Sequence, residues 1–319
     1  MNNNSDDFVR TFRIGSANVR GRHARLHQSL QMILDQHEYP DIVSEQLGQL
    51  IALAVLLAST VKYEGIFTVQ TDSNGPLRMM AIDVTSTNKI RGYADFDSDG
   101  LQTLLVKHNK PLIPLLMGSG KLAFTVNHGR DTELYQGIVP LEGSSLSDCA
   151  HNYFRQSEQI DTAIKLISGK NKGVWSCAAL MLQRESVSQK LAQLNDCKPT
   201  SKNHSPRSIH LLNKDNDDYW RTCVYLMSTV KNSELLSLVE TSDQLLYNLF
   251  HEVSVIVYPQ SAIYFQCRCS RVRIETTLSA LPKNEIEELA VDGEVIVTCK
   301  FCNKVETFEM SQLTALYAV

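Results

Sequence analysis

Two periods of apolar residues alternate along this chain of 319 residues. Leu26, Leu30, Met32, Ile33 and Leu34 fall close to helical spacing and predict a helix over 26–36, and a longer, more uniformly apolar helix is expected over 42–61. Its most apolar part, 50–61, holds 12 residues. A bilayer span needs roughly 20, so this run reads as a buried helix. β-Branched and aromatic residues then dominate at 65–70, 77–84, 90–94 and 122–126, and Asn74-Gly75-Pro76 supplies a turn between the first two strands. Consecutive strands joined by short turns pair antiparallel, which predicts an α+β fold rather than a doubly wound α/β one.

Ser144 or Ser145 is placed to cap a helix running to about residue 159, and 174–183 reads as a further strand. From 186 to 216 Lys, Asn, Ser, Asp and Pro dominate, as in an exposed insertion or loop. Helical spacing returns at Trp220, Cys223, Val224, Met227 and Val230, and again at Leu245, Leu246, Leu249 and Phe250, with Thr241 and Gln244 as a capping-box pair. The apolar faces of these helices require cover, and the sheet of the first half is the expected surface. The chain thus divides into a core over 1–187, a polar insertion and helical linker over 188–261, and a small C-terminal module over 262–319.

With 43% apolar residues the chain is long enough for about two domains, and its net charge of -4 gives no global basic footprint for a phosphate backbone. Nucleic acid is therefore not the expected partner. The first seven residues are polar and acidic, unlike a secretory signal. A cytoplasmic protein with reduced thiols and no membrane association is expected. Nine scattered histidines and the lack of a glycine-rich phosphate loop give no support for an enzyme. Of the eight cysteines, Cys149, Cys177 and Cys223 read as small buried hydrophobes, while Cys197 has polar neighbours.

The other four cysteines carry the chemistry. Cys267-Arg268-Cys269 and Cys299-Lys300-Phe301-Cys302 have the spacing of a tetrahedral Cys₄ zinc site, each short pair bringing two sulfurs to one side of the metal. Ser270 is placed to cap a helix with apolar positions Ile274, Leu278 and Leu281, ended by Pro282, and Asn284 with Glu287 offers a second cap. Asp292-Gly293 then turns into a strand over 294–298 that delivers Cys299, and 305–308 returns as the other arm of a hairpin. A module this short lacks a sufficient apolar core, so zinc is expected to supply its fold, at on the order of 10–16 kcal/mol in small zinc-finger peptides. Cys269 adjoins a helix N-terminus, and Arg268, Arg271, Arg273, Lys300 and Lys304 are close in sequence, which favours the oxidisable thiolate. Spacing alone leaves two roles open, a purely structural zinc and a redox switch. His251 lies near the module, with a surface or packing role expected because four cysteines complete the shell.

The string CRCSRVRIETTLSALPKNEIEELAVDGEVIVTCKFC, with 29 residues between the inner cysteines, closely resembles the zinc module of the redox-regulated 33 kDa chaperonin (heat-shock protein 33) family. Val19-Arg20-Gly21, Asn74-Gly75-Pro76-Leu77, Arg91-Gly92, Tyr135-Gln136-Gly137-Ile138-Val139, Leu141-Glu142-Gly143 and 153–159 look like family signatures in the family order. The resemblance implies an ATP-independent holdase, inactive while reduced and zinc-bound. It implies one Zn²⁺ on Cys267, Cys269, Cys299 and Cys302, and oxidation joining Cys267 to Cys269 and Cys299 to Cys302 with zinc release. A metastable linker, here 217–261, would then open to bind unfolding client proteins, and the active form would dimerise. Asn303 replaces the glycine usual after the last cysteine and tolerates the same left-handed turn. The polar stretch 186–216, with Cys197, is longer than the family pattern.

Two alternatives belong to other classes. A zinc-ribbon module binding nucleic acid or protein would need a basic surface, yet 262–319 holds eight Asp/Glu against six Lys/Arg. A thiol-disulfide oxidoreductase would place CxxC after a strand at a helix N-terminus, whereas here it falls at a hairpin tip.

Overall fold

Backbone pairing begins earlier than the apolar pattern foretells. β1 (Phe8–Ile14) and β2 (Val19–Leu26) form an antiparallel hairpin where Arg and His interrupt the strand signal. The computed structural model describes residues 6–15, 18–127, 135–155, 159–171, 173–185 and 206–316. After the hairpin come α1 (Gln28–Leu34) and α2 (Asp41–Ala58), then a meander of β3 (Ile66–Ser73), β4 (Leu77–Thr85) and β5 (Lys89–Phe96). Helices α3 (Ser98–Lys107) and α4 (Ile113–Met117) lead to β6 (Gly120–Asn127) and β7 (Tyr135–Pro140), and α5 (Leu146–Tyr153) precedes the long hairpin of β8 (Thr162–Asn171) and β9 (Val174–Arg184). Next are α6 (Pro206–Thr229), α7 (Asn232–Leu235), α8 (Ser242–Phe250), β10 (Val255–Ala262) and β11 (Tyr264–Phe265). The chain closes with α9 (Arg271–Ser279), α10 (Lys283–Leu289), β12 (Glu294–Thr298), β13 (Val305–Glu309) and α11 (Met310–Leu316).

The strands make two large sheets and one small hairpin, an α+β architecture. One sheet is ordered β10-β1-β2-β9-β8, and the other β11-β5-β4-β3-β6-β7. All pairings are antiparallel except the short parallel contact of β11 with β5. Helix α2 lies between the sheets. By length and composition it could cross a membrane, but 83% of its apolar window is buried in the fold, which is where its all-round hydrophobicity is satisfied. Gly48 lets it approach β8, since a Cβ there would sit 2.2 Å from Ser168 Oγ. The helix ends at Ala58, earlier than expected, because Ser59 and Thr60 hydroxyls donate to the carbonyls of Leu56 and Leu57 and satisfy its last turn.

Helix α5 carries the Ser145 capping box; its α-helical part ends at Tyr153, residues 154–155 continue as π-helix, and 156–158 lie outside the described residues. Buried Phe154 caps its C-terminus, and Gln159 adopts a positive φ of 52° as the chain turns toward β8. Helix α6 begins at Pro206, inside the stretch read as a polar loop. Proline breaks a helix only in its interior and fits the first turn, so the apparent breaker is a start signal. Cys197 lies outside the described residues. Residues 255–262 are a strand paired with β1, not helix, and α10 starts at Lys283 behind Pro282 rather than from an Asn284 cap.

The outer face of the first sheet is covered by α6 to α8. Cys223, Met227, Val230, Leu245, Leu246 and Phe250 pack on Phe12, Ile14, Val19, Ala178, Leu180 and Leu182, in a core separate from the one around α2. Phe250 stacks on Phe12 at 5.6 Å, and the Phe12 ring lies over Gly21, where any Cβ would collide with it. Cys149, Cys177 and Cys223 are fully buried free thiols, and burial pushes the Cys223 thiol up to about 11.

This docking also buries polar groups. Arg25 donates to the carbonyls of Ser237 and Glu240, Lys165 to that of Val230, and Arg10 pairs with Asp243. At the centre His23 is fully buried, its Nδ1 2.8 Å from Ser242 Oγ at the start of α8 and its ring edge-on to Phe8. Burial first, then Arg25 and Arg10, lower its pKa to about 3. An unfolded histidine titrates near 6.5, so on acidification the unfolded chain binds the proton first. The stability His23 confers is therefore complete above about pH 6.5 and is lost as pH falls toward 3. Between pH 7 and 5 this loss is on the order of 2 kcal/mol. His23→Leu should remove that part of the acid sensitivity, as read from thermal melts of both chains at the two pH values; equal pH slopes would contradict it.

Candidate metal centre

Two arms bring four sulfurs together. The first arm, Cys267 to Cys269, spans the turn between β11 and α9, where Ser270 caps the helix by accepting from the Arg273 amide. The second is the tip of the β12–β13 hairpin. There the Cys299 amide donates to the Lys304 carbonyl, and the amides of Cys302 and Asn303 donate back to the Cys299 carbonyl. Asn303 holds the left-handed φ of 50° expected of it, and Asp292 and Gly293 form the positive-φ turn before β12.

The four Sγ atoms lie within 4.8 Å of one another. Across the arms Cys267 Sγ is 3.7 Å from Cys299 Sγ, and Cys269 Sγ is 3.4 Å from Cys302 Sγ. These are free thiols, far outside the roughly 2.05 Å of a disulfide. A tetrahedral shell with metal–sulfur distances of about 2.3 Å has edges of about 3.8 Å, so donor set and spacing fit a metal ion with four thiolate ligands. Burial opposes ionisation of Cys267, but the Cys269 amide and the neighbouring thiols hold its pKa down at about 7. Burial, together with the shared thiol protons, pushes Cys269 and Cys302 up.

The surrounding cations are less free than their closeness in sequence suggests. Arg268 is engaged by Asp83, Arg271 by Glu275 and Glu306, and Lys304 by Glu306 at 2.6 Å, so hydrogen bonds contribute directly to holding the Cys267 thiolate. Lys304 still feels Cys269 and Cys302. His251 is exposed and stacks on Tyr247, apart from the sulfurs. The module's own apolar core is small: Leu278, Ile286, Val295, Phe308 and Leu313.

Sequence reading missed that this centre is seated on the second sheet. Asp83, almost fully buried, receives Arg268 at 2.5 Å and Arg91 at 2.7 Å, while Thr68 donates to its other oxygen. Phe301, between the last two cysteines, lies under the Arg91 guanidinium at 3.8 Å and meets the Tyr93 ring edge-on at 4.9 Å. Asn303 Nδ2 donates to the Gln36 carbonyl. The one sequence signal was Arg91-Gly92, noticed without a role; Asp83 sits in an apolar strand and carries no motif.

Comparisons agree over nearly the whole chain. A family model described as Hsp33 protein matches residues 7–309. The 33 kDa chaperonin of Nitrosococcus oceani is 34% identical over 316 residues, 98% of this chain and 95% of that protein. Its counterpart in Caulobacter vibrioides is 30% identical over 305 residues, 94% of each chain. The solved structure of a 33 kDa chaperonin (heat shock protein 33 homolog) from Thermotoga maritima matches with a TM-score of 0.76 over 98% of both chains at 19% identity, a likeness of fold.

The seat on the sheet has a measurable consequence. Asp83→Asn leaves Arg91 and Arg268 without their carboxylate and should weaken docking of the module by about 3 kcal/mol. Faster amide exchange across 267–309 with unchanged metal content is the expected result, and unaltered exchange would refute the role given to Asp83.

Proposed function

Since the chain belongs to the Hsp33 family and is a chaperone, we propose that it is a redox-regulated, ATP-independent holdase whose switch is the four-cysteine cluster. The observation that carries this reading is the cluster's construction: two arms that bring four sulfurs within 4.8 Å of one another, one of them continuous with the strands that follow the linker helices. Zn²⁺ is the proposed ion, because a Cys₄ shell selects it and a core of five side chains needs such a tie. When bound, it holds four thiolates and joins the arms.

Oxidation by peroxide proceeds through the Cys267 thiolate and its neighbours. Each disulfide forms from two thiolates with loss of two electrons, which together with two protons from solvent reduce one peroxide to two waters, so two peroxides convert all four sulfurs. Sulfur distances do not choose the pairing, since all four are close. The family resemblance implies Cys267 with Cys269 and Cys299 with Cys302; same-arm bridges would leave no sulfur tie between the arms, whereas cross-arm bridges would hold them together in place of the metal. Separation undermines the seat of Phe301 and Arg268 on β5 and its neighbours. It then reaches β11 and β10, and through them α8, which packs on β10. The proposed outcome is release of the linker from the apolar face of the first sheet, which then holds unfolding client proteins, with dimerisation of the oxidised form. The cytosol is the proposed setting, because its reducing pool keeps the resting thiols free.

Peroxide with mild heat should release one zinc per chain, consume four thiols and switch on suppression of client aggregation, while reduced protein stays inactive. Zinc, thiol titration and light scattering followed together test this. Equal activity of reduced and oxidised protein would sink the proposal, and peptide mapping of cross-arm disulfides would overturn the pairing.

A further inference from the structure

Away from the cysteines, a cavity of about 440 Å³ opens between the two sheets at one end of the main core. Its wall is mixed: Leu57, Phe67, Phe124, Val126, Tyr153 and Phe154 form an apolar side, and Arg20, Gln183, Arg184 and Glu185 a polar one. Arg22 also lines it, although only 4% of that residue is exposed. Buried arginines are ordinarily matched by a carboxylate, because an unpaired buried charge is strongly destabilising. The neighbouring charges are already matched: Glu185 holds Arg13 and Arg20, and Arg184 is paired with Asp161 and Asp217. Among the described residues Arg22 makes no ion pair. Its Nη1 donates to Gln183 Oε1 at 3.0 Å, and its Nε is buried with no acceptor.

We propose that this cavity is a binding site for a small amphipathic monocarboxylate, such as a medium-chain fatty acid, with the carboxylate on Arg22 and the tail against the aromatic wall. A guanidinium gives a carboxylate a charge-assisted hydrogen bond, stronger than one between neutral groups. One unmatched positive charge selects a monoanion, and an aromatic wall selects an apolar body. The volume lies within the range of small-molecule sites. Burial, with Arg20 beside it, lowers the Arg22 pKa to about 10, so the group remains cationic at neutral pH.

Calorimetric titration of the reduced, zinc-loaded full chain with decanoate, below its micelle concentration, tests the site. Saturable one-to-one binding is expected, at least about tenfold tighter than that of methyl decanoate, which lacks the charge. Arg22→Leu should lose that preference while ester binding stays unchanged. Photolabelling of the parent chain with a diazirine analogue of decanoate gives a readout that needs no variant, and label on the segments of Phe124 or Tyr153 is expected. Absence of saturable binding, as from a cavity that holds water only, would overturn the proposal. Equal affinity for acid and ester, or label confined to the linker helices, would do the same.

Discussion

Four sulfur atoms within 4.8 Å of one another cannot all ionise unless something positive lies among them. This repulsion is the constraint on the small C-terminal module. The thiols meet it by sharing protons, with Cys267 ionising readily while Cys269 and Cys302 are pushed up. A metal ion meets it by replacing those protons, and covalent pairing meets it by removing the charges altogether. Only the first two leave the four sulfurs unbonded to one another. Among the described residues the module's buried core is five side chains, a small apolar core for such a unit.

The same segment of chain connects that chemistry to the rest of the protein. β10 is hydrogen-bonded to one sheet and β11 to the other, so the short path from linker to cysteines is fastened at both edges. Beyond it, α6 to α8 cover a sheet face whose buried groups include His23, Arg25 and Arg10 as well as Phe12 and Leu180. A docking surface that mixes stacked aromatics with desolvated basic groups is less secure than an all-apolar one, since each polar group must keep its partner.

Much of this was legible from the residues. The α+β class, most strands of the second sheet, the two linker helices, the Thr241–Gln244 box and the two cysteine arms follow from period, capping and spacing, because each is set by local chemistry. What escaped was decided by tertiary contacts. β1 and β2 carry buried Arg22, His23 and Arg25, which erase the alternation expected of a strand. Pro206 looked like a breaker because a first-turn position cannot be told from an interior one without the helix that follows. Asp83 is a single acid in an apolar strand, and only the folded chain shows Arg91 and Arg268 converging on it from different elements.

Cys223 has no part in the metal cluster, yet its position gives the molecule an internal gauge. It sits on α6 against the first sheet, fully covered, with its thiol pushed up to about 11 by the very packing that docks the helix. Once that packing is lost, both the shield and the raised pKa go with it, and the sulfur regains ordinary reactivity. On the proposed release of the linker, Cys223 becomes an alkylatable thiol 44 residues before the first cluster cysteine.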